Sequence, residues 1–521
     1  MQGDERNTRG PSAPPSSRHS DSYKPTVKAS RAQRASEGTV VVSSLVTNNT
    51  RGAKGPCGGH VGGASTREGM PGTPGSNLPD GRPPIDKVRQ LQRRLWVAAK
   101  RSPERRFHAL MDRVWRSDVL QAAWRRVKQN RGAAGVDAMT LADVEQYGVE
   151  RLLDELGSAL RAGRYRPQPV RRRYIPKADG RLRPLGIPTV RDRVAQMAAT
   201  LVLEPIFEAD FRPSSYGFRP KRSATQALET LRVRGARGGT HVLDADIRDY
   251  FGSIDQQRLL TLVARRVSDR RVLKLLRLWL AAGVMEEGQW TRTMAGTPQG
   301  GVISPLLANI YLHVLDRVWE DRCAHLGTLV RYADDFVVMC DTQAQVDEAR
   351  ARVSTVLTRL GLELHPEKTR TVDLSRGRAG FDFLGCHLRK RMSGPIWERS
   401  RRRVYYLHRG PSQRAMTRVR ARVRALTGRA RCHTDLREVI AEVNPVLRGW
   451  AQYFRTGNAA DHFTSIDRYV ERRLRGLLSK RAGSRLTAGR AAAWTRPFFE
   501  ALGLSRLRGT IRYPGVAHAT S

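Results

Sequence analysis

Two adjacent acids, Asp334 and Asp335, stand between apolar runs, Leu329-Val330-Arg331-Tyr332-Ala333 before them and Phe336-Val337-Val338-Met339 after. Valine-rich arms around a polar pair predict a hairpin with buried strands and a charged turn. Neighbouring carboxylates repel, so a buried Asp-Asp pair needs a cation, whereas an exposed one needs nothing. A second apolar segment, His241-Val242-Leu243-Asp244-Ala245-Asp246-Ile247, weighs toward the cation because it ends in another acid. Laid beside the hairpin, it brings Asp246 to Asp334 and Asp335 at one sheet edge. Three carboxylates there can hold two Mg2+ ions roughly 4 Å apart, an arrangement that activates a 3′ hydroxyl and stabilises departing pyrophosphate.

Tyr332-Ala333-Asp334-Asp335 between apolar strands, with Asp246 upstream and the aromatic Phe251 five positions later, resembles the palm of a reverse transcriptase. Further matches narrow the resemblance to the maturase-type reverse transcriptases of group II introns, over about residues 85 to 485. It implies an α/β (α+β) fold: a right-hand polymerase with fingers, a palm on an antiparallel sheet and a helical thumb, followed by a helical maturase domain. It also implies RNA-directed DNA synthesis with two Mg2+ held by Asp246, Asp334 and Asp335. Phe251 is then a sugar gate, since a ring beneath the sugar collides with a ribose 2′ hydroxyl. The plainer alternative, which carries less weight, is a core aromatic.

The elements around this site carry their own signals. Asp179-Gly180 at the centre of 170–188 is a hairpin turn, and Lys177 and Arg183 on the facing arms can grip a triphosphate. Phe211-Arg212-Pro213-Ser214-Ser215-Tyr216-Gly217-Phe218-Arg219 is an aromatic and basic loop of the kind that stacks on nucleic acid, with Arg219 as its RNA contact. In Ala295-Gly296-Thr297-Pro298-Gln299-Gly300-Gly301 the glycines let backbone approach a nucleotide, and Gln299 can line its pocket. Ser304 and Pro305 then start a helix, and Val194 to Ile206 predicts another that closes on Pro205. Lys368, at the end of the strand after Gly361, has two readings: a triphosphate contact or a salt bridge within the acidic site.

With 93 Lys and Arg against 49 Asp and Glu, the net charge is +44, which suits a partner with a dense negative backbone. Length and ordered motifs argue against a small packaging protein, which would explain the charge and leave the carboxylates unexplained. Five cysteines are dispersed singly, with no metal-site or disulfide spacing. No apolar run reaches membrane-spanning length and no signal peptide is legible, so a cytoplasmic, bacterial, nucleoid-associated setting is expected. Residues 1–84, rich in Gly, Pro, Ser and Thr, predict a disordered extension. Fingers are expected over 85–240, palm over 241–390, a basic helical thumb over 391–430 and a maturase domain over 431–485. A tail without an H-N-H endonuclease follows over 486–521.

Residues 399–431 hold twelve arginines and no acid, with Val404, Val419, Val423 and Leu426 at roughly helical spacing, which predicts helices facing phosphates. Val443-Asn444-Pro445-Val446-Leu447-Arg448-Gly449-Trp450-Ala451-Gln452-Tyr453-Phe454 resembles the maturase domain that binds intron RNA. By that resemblance Arg418, Arg448, Trp450 and Arg472 are RNA contacts, although aromatics here also suit a bundle core. The implied partners are group II intron RNA, an RNA template with a DNA primer, target DNA and dNTPs, with no membrane; a homodimer is allowed. Two rivals stay open: a splicing maturase with a dormant polymerase, and a reverse transcriptase of the retron or diversity-generating type.

Overall fold

The computed structural model describes residues 86–176, 180, 182–286, 289–291, 296–297, 300–483 and 487–513. The expectations for the first 84 residues, for Lys177 and for Gln299 therefore lie outside the described residues. The fingers open with α1 (Lys87–Arg101), started by Asp86, whose carboxylate accepts from the Val88 and Arg89 amides. Such a cap is worth about 1 kcal/mol. Val88, Leu91, Leu95 and Ala99 form the buried stripe of α1. Then come α2 (Met111–Val114), α3 (Ser117–Gln129), α4 (Leu141–Tyr147) and α5 (Val149–Arg161).

The next elements are β1 (Val170–Pro176), β2 (Leu182–Ile187) and α6 (Val190–Glu208). Helix α6 is buried on nearly every side, and its Ala195, Ala198 and Ala199 are small enough for α1 and α3 to close on it. It does not stop at Pro205 as expected. Proline leaves the Leu201 carbonyl without its helical donor, and the Gln92 side-chain amide of α1 donates to that oxygen at 3.0 Å. β1 and β2 pair antiparallel, with Arg183 opposite Ile175 and Gly180 at φ 79° in the turn.

After α7 (Ala224–Ala236) the palm opens with β3 (His241–Ala245), α8 (Tyr250–Ser253), α9 (Gln256–Ala264) and α10 (Arg270–Ala281). β4 (Val284–Glu286) and β5 (Gln289–Thr291) return to the fingers, where the sheet order is β2-β1-β4-β5. The palm resumes with α11 (Ser304–Val318), β6 (Thr328–Tyr332), β7 (Asp335–Cys340), α12 (Gln343–Arg359) and β8 (Arg370–Asp373). Its sheet is antiparallel throughout, in the order β6-β7-β3-β8. Strand alternation divides it: Leu243, Ala245, Leu329, Phe336 and Val338 join the core shared with α9, α11 and α12, while Val242, Val330, Val337 and Met339 face a second core.

That second core continues into the C-terminal third: β9 (Gly380–Phe383), β10 (Cys386–Met392), α13 (Gly394–Ser400), β11 (Tyr405–Pro411), α14 (Gln413–Leu426), α15 (Leu436–Phe454), α16 (Ala460–Ala482), α17 (Ala488–Ala492) and α18 (Arg496–Ala501). The basic stretch is helical at its start, in the end of α13, and again from Gln413. Residues 405–411 form an edge strand instead, in which Leu407 and Arg409 are buried and alternate with half-buried Tyr406 and His408 at period two. Residues 487–513 dock on the bundle: Asn444 bonds the Gly503 carbonyl and the Ser505 amide, both at 2.8 Å. Among the described residues no helix is long and apolar enough to cross a membrane.

Candidate active site

The last registered pair between β3 and β7 is Ala245 with Phe336, so Asp246 and Asp335 are neighbours just beyond it. Asp334 occupies the two-residue turn between β6 and β7 with Ala333, whose φ is 60°. A left-handed alanine costs about 1 kcal/mol and needs surroundings that hold it. Burial raises the Asp334 carboxyl, Asp246 adds to the rise, and the Arg183 and Lys368 charges oppose it. Asp335 keeps solvent access at the strand start, yet crowding around its carboxyl and the charges of Asp334, Asp246 and Asp244 push it up to about 7. Two cations answer this acidic edge directly: the Lys368 ammonium bonds Asp246, and Arg370 bonds Asp244 at 3.0 Å. Of the two readings of Lys368, the structure has the salt bridge.

Among the described residues no three His, Cys, Asp or Glu side chains close to metal-holding distance. Asp246, Asp334 and Asp335 stand together at one end of the palm sheet without closing to that distance, and Lys368 pairs with Asp246. The donor set nevertheless fits a hard divalent cation. It is all carboxylate oxygen, and burial and neighbouring carboxylates raise the Asp334 and Asp335 carboxyls, a rise that a bound cation would oppose.

Phe251 is half-buried on α8, edge-on to Tyr250 with ring centroids 5.3 Å apart. Its carbonyl accepts the Thr297 amide at 2.9 Å, so the glycine loop is anchored directly to the expected sugar gate. Gly300 has φ 112°, and a Cβ there would collide with the Gly186 carbonyl of β2, which joins the same loop to the fingers hairpin. Gln196 of α6, which the sequence reading passed over, accepts the Val302 amide at 2.8 Å and fixes the far side of the loop. Its signal was a polar residue inside the otherwise apolar run Val194 to Leu203.

Residues 175–388 match the family model described as reverse transcriptase (RNA-dependent DNA polymerase), and residues 416–491 the one described as group II intron, maturase-specific domain. Protein YkfC of Escherichia coli (strain K12) is 35% identical over 345 residues, covering 59% of this chain and 89% of YkfC. Group II intron-encoded protein LtrA of Lactococcus lactis subsp. cremoris is 39% identical over 212 residues, covering 40% of this chain and 35% of LtrA. The chain belongs to the group II intron reverse transcriptase and maturase family. An uncharacterized 91 kDa protein in the cob intron of Schizosaccharomyces pombe (strain 972 / ATCC 24843) is 27% identical over 404 residues, covering 65% of this chain and 49% of that one. The chain's alignments thus span nearly all of YkfC but 35% of LtrA.

In this reverse transcriptase one expected RNA contact faces inward. Arg219 is buried: its five N–H groups go to both Glu208 oxygens and the Phe211, Arg212 and Ser215 carbonyls, so it staples its own loop and is not an RNA contact. The half-buried Trp450 ring packs against the bundle core, 5.0 Å from Phe454 and 5.5 Å from Phe463. Arg418, Arg448 and Arg472 are exposed, on α14, α15 and α16. Arg448 donates to the Ser505 hydroxyl at 2.8 Å, and Arg472 stacks over Tyr469 at 5.7 Å.

Proposed function

We propose that this chain copies RNA into DNA from a primer 3′ hydroxyl and assists the folding and splicing of its own intron RNA. The observation that carries the reading is the carboxylate edge: Asp246 beside Asp335, with Asp334 in the turn, and the Asp334 and Asp335 carboxyls raised by burial and by neighbouring carboxylates. Asp246, Asp334 and Asp335 would hold two Mg2+ ions, which when bound supply Lewis-acid activation of the 3′ oxygen and charge neutralisation at the leaving pyrophosphate. Arg183, whose charge already acts on Asp334, holds the triphosphate together with Lys177. Lys368 leaves Asp246 on loading and turns to the phosphates. Phe251 excludes the ribose 2′ hydroxyl, and Gln299 lines the base and sugar. Exposed Arg418, Arg448 and Arg472 take intron RNA by its phosphates.

Extension of a DNA primer on an RNA template with Mg2+ and dNTPs tests this. The wild type should give long product. Asp334→Ala should give none while retaining primer-template binding. A wild type that binds the duplex and extends nothing would leave the dormant-polymerase maturase as the better account.

A further inference from the structure

Behind the catalytic turn, on the opposite face of the palm sheet from Asp335, lies a charged pair with no access to solvent: Arg331 of β6 and Asp316 of α11, each 0% exposed. The Arg331 guanidinium has five N–H groups, and all five are engaged. Nε and Nη2 bond the two Asp316 oxygens at 2.7 and 2.5 Å, Nη2 also reaches the Ser215 hydroxyl at 2.7 Å, and Nη1 reaches Asn309 Oδ1 at 3.0 Å. The fifth bond runs from Nη1 to the Ala333 carbonyl, inside the turn itself, at 2.8 Å.

Other contacts close a ring through the same atoms. Segment 214–216 runs along the open edge of β6, with the Arg331 amide on the Ser214 carbonyl and the Tyr216 amide on the Arg331 carbonyl, both at 2.8 Å. Gly217 then passes so close to the Ala333 nitrogen that any Cβ would clash, and its carbonyl accepts from Asn309 Nδ2 at 2.8 Å. Buried ion pairs seldom add stability over an apolar pair of similar volume, because desolvating two charges costs several kcal/mol. Stability alone thus does not explain a pair at this depth, whereas geometry does: a planar fork with five donors fixes a carbonyl in a way a lysine point charge cannot.

We propose that Arg331 is the positioning residue of the catalytic turn: through Asp316, Asn309 and Ser215 it locks the Ala333 carbonyl, and so the direction in which Asp334 and Asp335 leave the sheet. The inference rests on the polymerase reading above. It explains how left-handed Ala333 is held at φ 60° without glycine.

The test compares wild type, the apolar replacement Arg331→Met with Asp316→Leu, and Asn309→Ala, which keeps the ion pair and removes two links to the turn. Each is assayed for thermal melting, primer-template binding, and single-nucleotide addition against dNTP and against Mg2+. In the double variant kcat should fall about 100-fold, as for reacting groups displaced by an ångström. Asn309→Ala should lose less. In both variants the dNTP KM and duplex binding should hold while half-maximal rate moves to higher Mg2+. Wild-type kcat in either folded variant overturns the proposal, as does a loss confined to KM. If the double variant does not melt cooperatively, Asn309→Ala decides alone. A wild type that extends no primer fails differently, taking down the polymerase reading itself.

Discussion

Phe251 carries two demands on one ring. It packs edge-on against Tyr250, which is buried and donates to the Ala308 carbonyl at 2.6 Å, and it stays half-exposed itself. Truncation separates the demands. Phe251→Ala should narrow the preference for dNTPs over rNTPs about tenfold or more, read as the ratio of the two kcat/KM values, because a lost steric wall is a loss of discrimination. A variant that melts earlier but keeps the wild-type ratio would reduce Phe251 to a core aromatic. The meeting of Asp246 with Asp335 was legible because acids at the ends of apolar strands come together once the strands pair. Arg219 was misplaced because burial is a tertiary property: nothing in Gly217-Phe218-Arg219 tells that Glu208 waits eleven residues upstream.

Among the elements, the palm hairpin and β3 were readable since apolar alternation has one solution at period two, and register then fixed Asp246 beside Asp335. β11 was hidden because arginines at 401–403 and 409 masked its alternation, and α6 outran its proline because a helix 113 positions before Pro205 supplied the missing donor from Gln92. Helix α6 also carries a titratable strain. Burial raises the Glu204 carboxyl from 4.5 to about 7, Arg126 opposes the rise and Glu208 adds to it. Between those values the folded state keeps a proton that the unfolded state has released, so stability falls as pH rises through the window. Glu204→Gln keeps the shape without the charge. Its melting temperature should match wild type near pH 4.5 and exceed it at pH 8; equal melting at both would show that Arg126 fully compensates the buried charge.

For the molecule as a whole, a net charge of +44 makes non-specific RNA affinity the default, so affinity by itself reveals little about which face grips the intron. Salt dependence is more informative. Each phosphate contact releases condensed counterions, and removing one lowers the slope of log affinity against log salt by about 1. Arg418, Arg448 and Arg472 lie exposed on three successive helices of the region matching the maturase-specific model. Replacing all three with Gln should lower the slope for intron RNA by about 3 if each meets one phosphate, with the loss shared across unrelated RNA sequences. Melting should fall only slightly, since all three are exposed and the Arg448–Ser505 bond and the Arg472–Tyr469 stacking are surface contacts. Single-turnover extension on saturating primer-template should keep its wild-type rate, because the carboxylates belong to the palm sheet and the three arginines to the C-terminal helices. An unchanged slope would move the phosphate track off these helices, and a lost extension rate would place it on the template path.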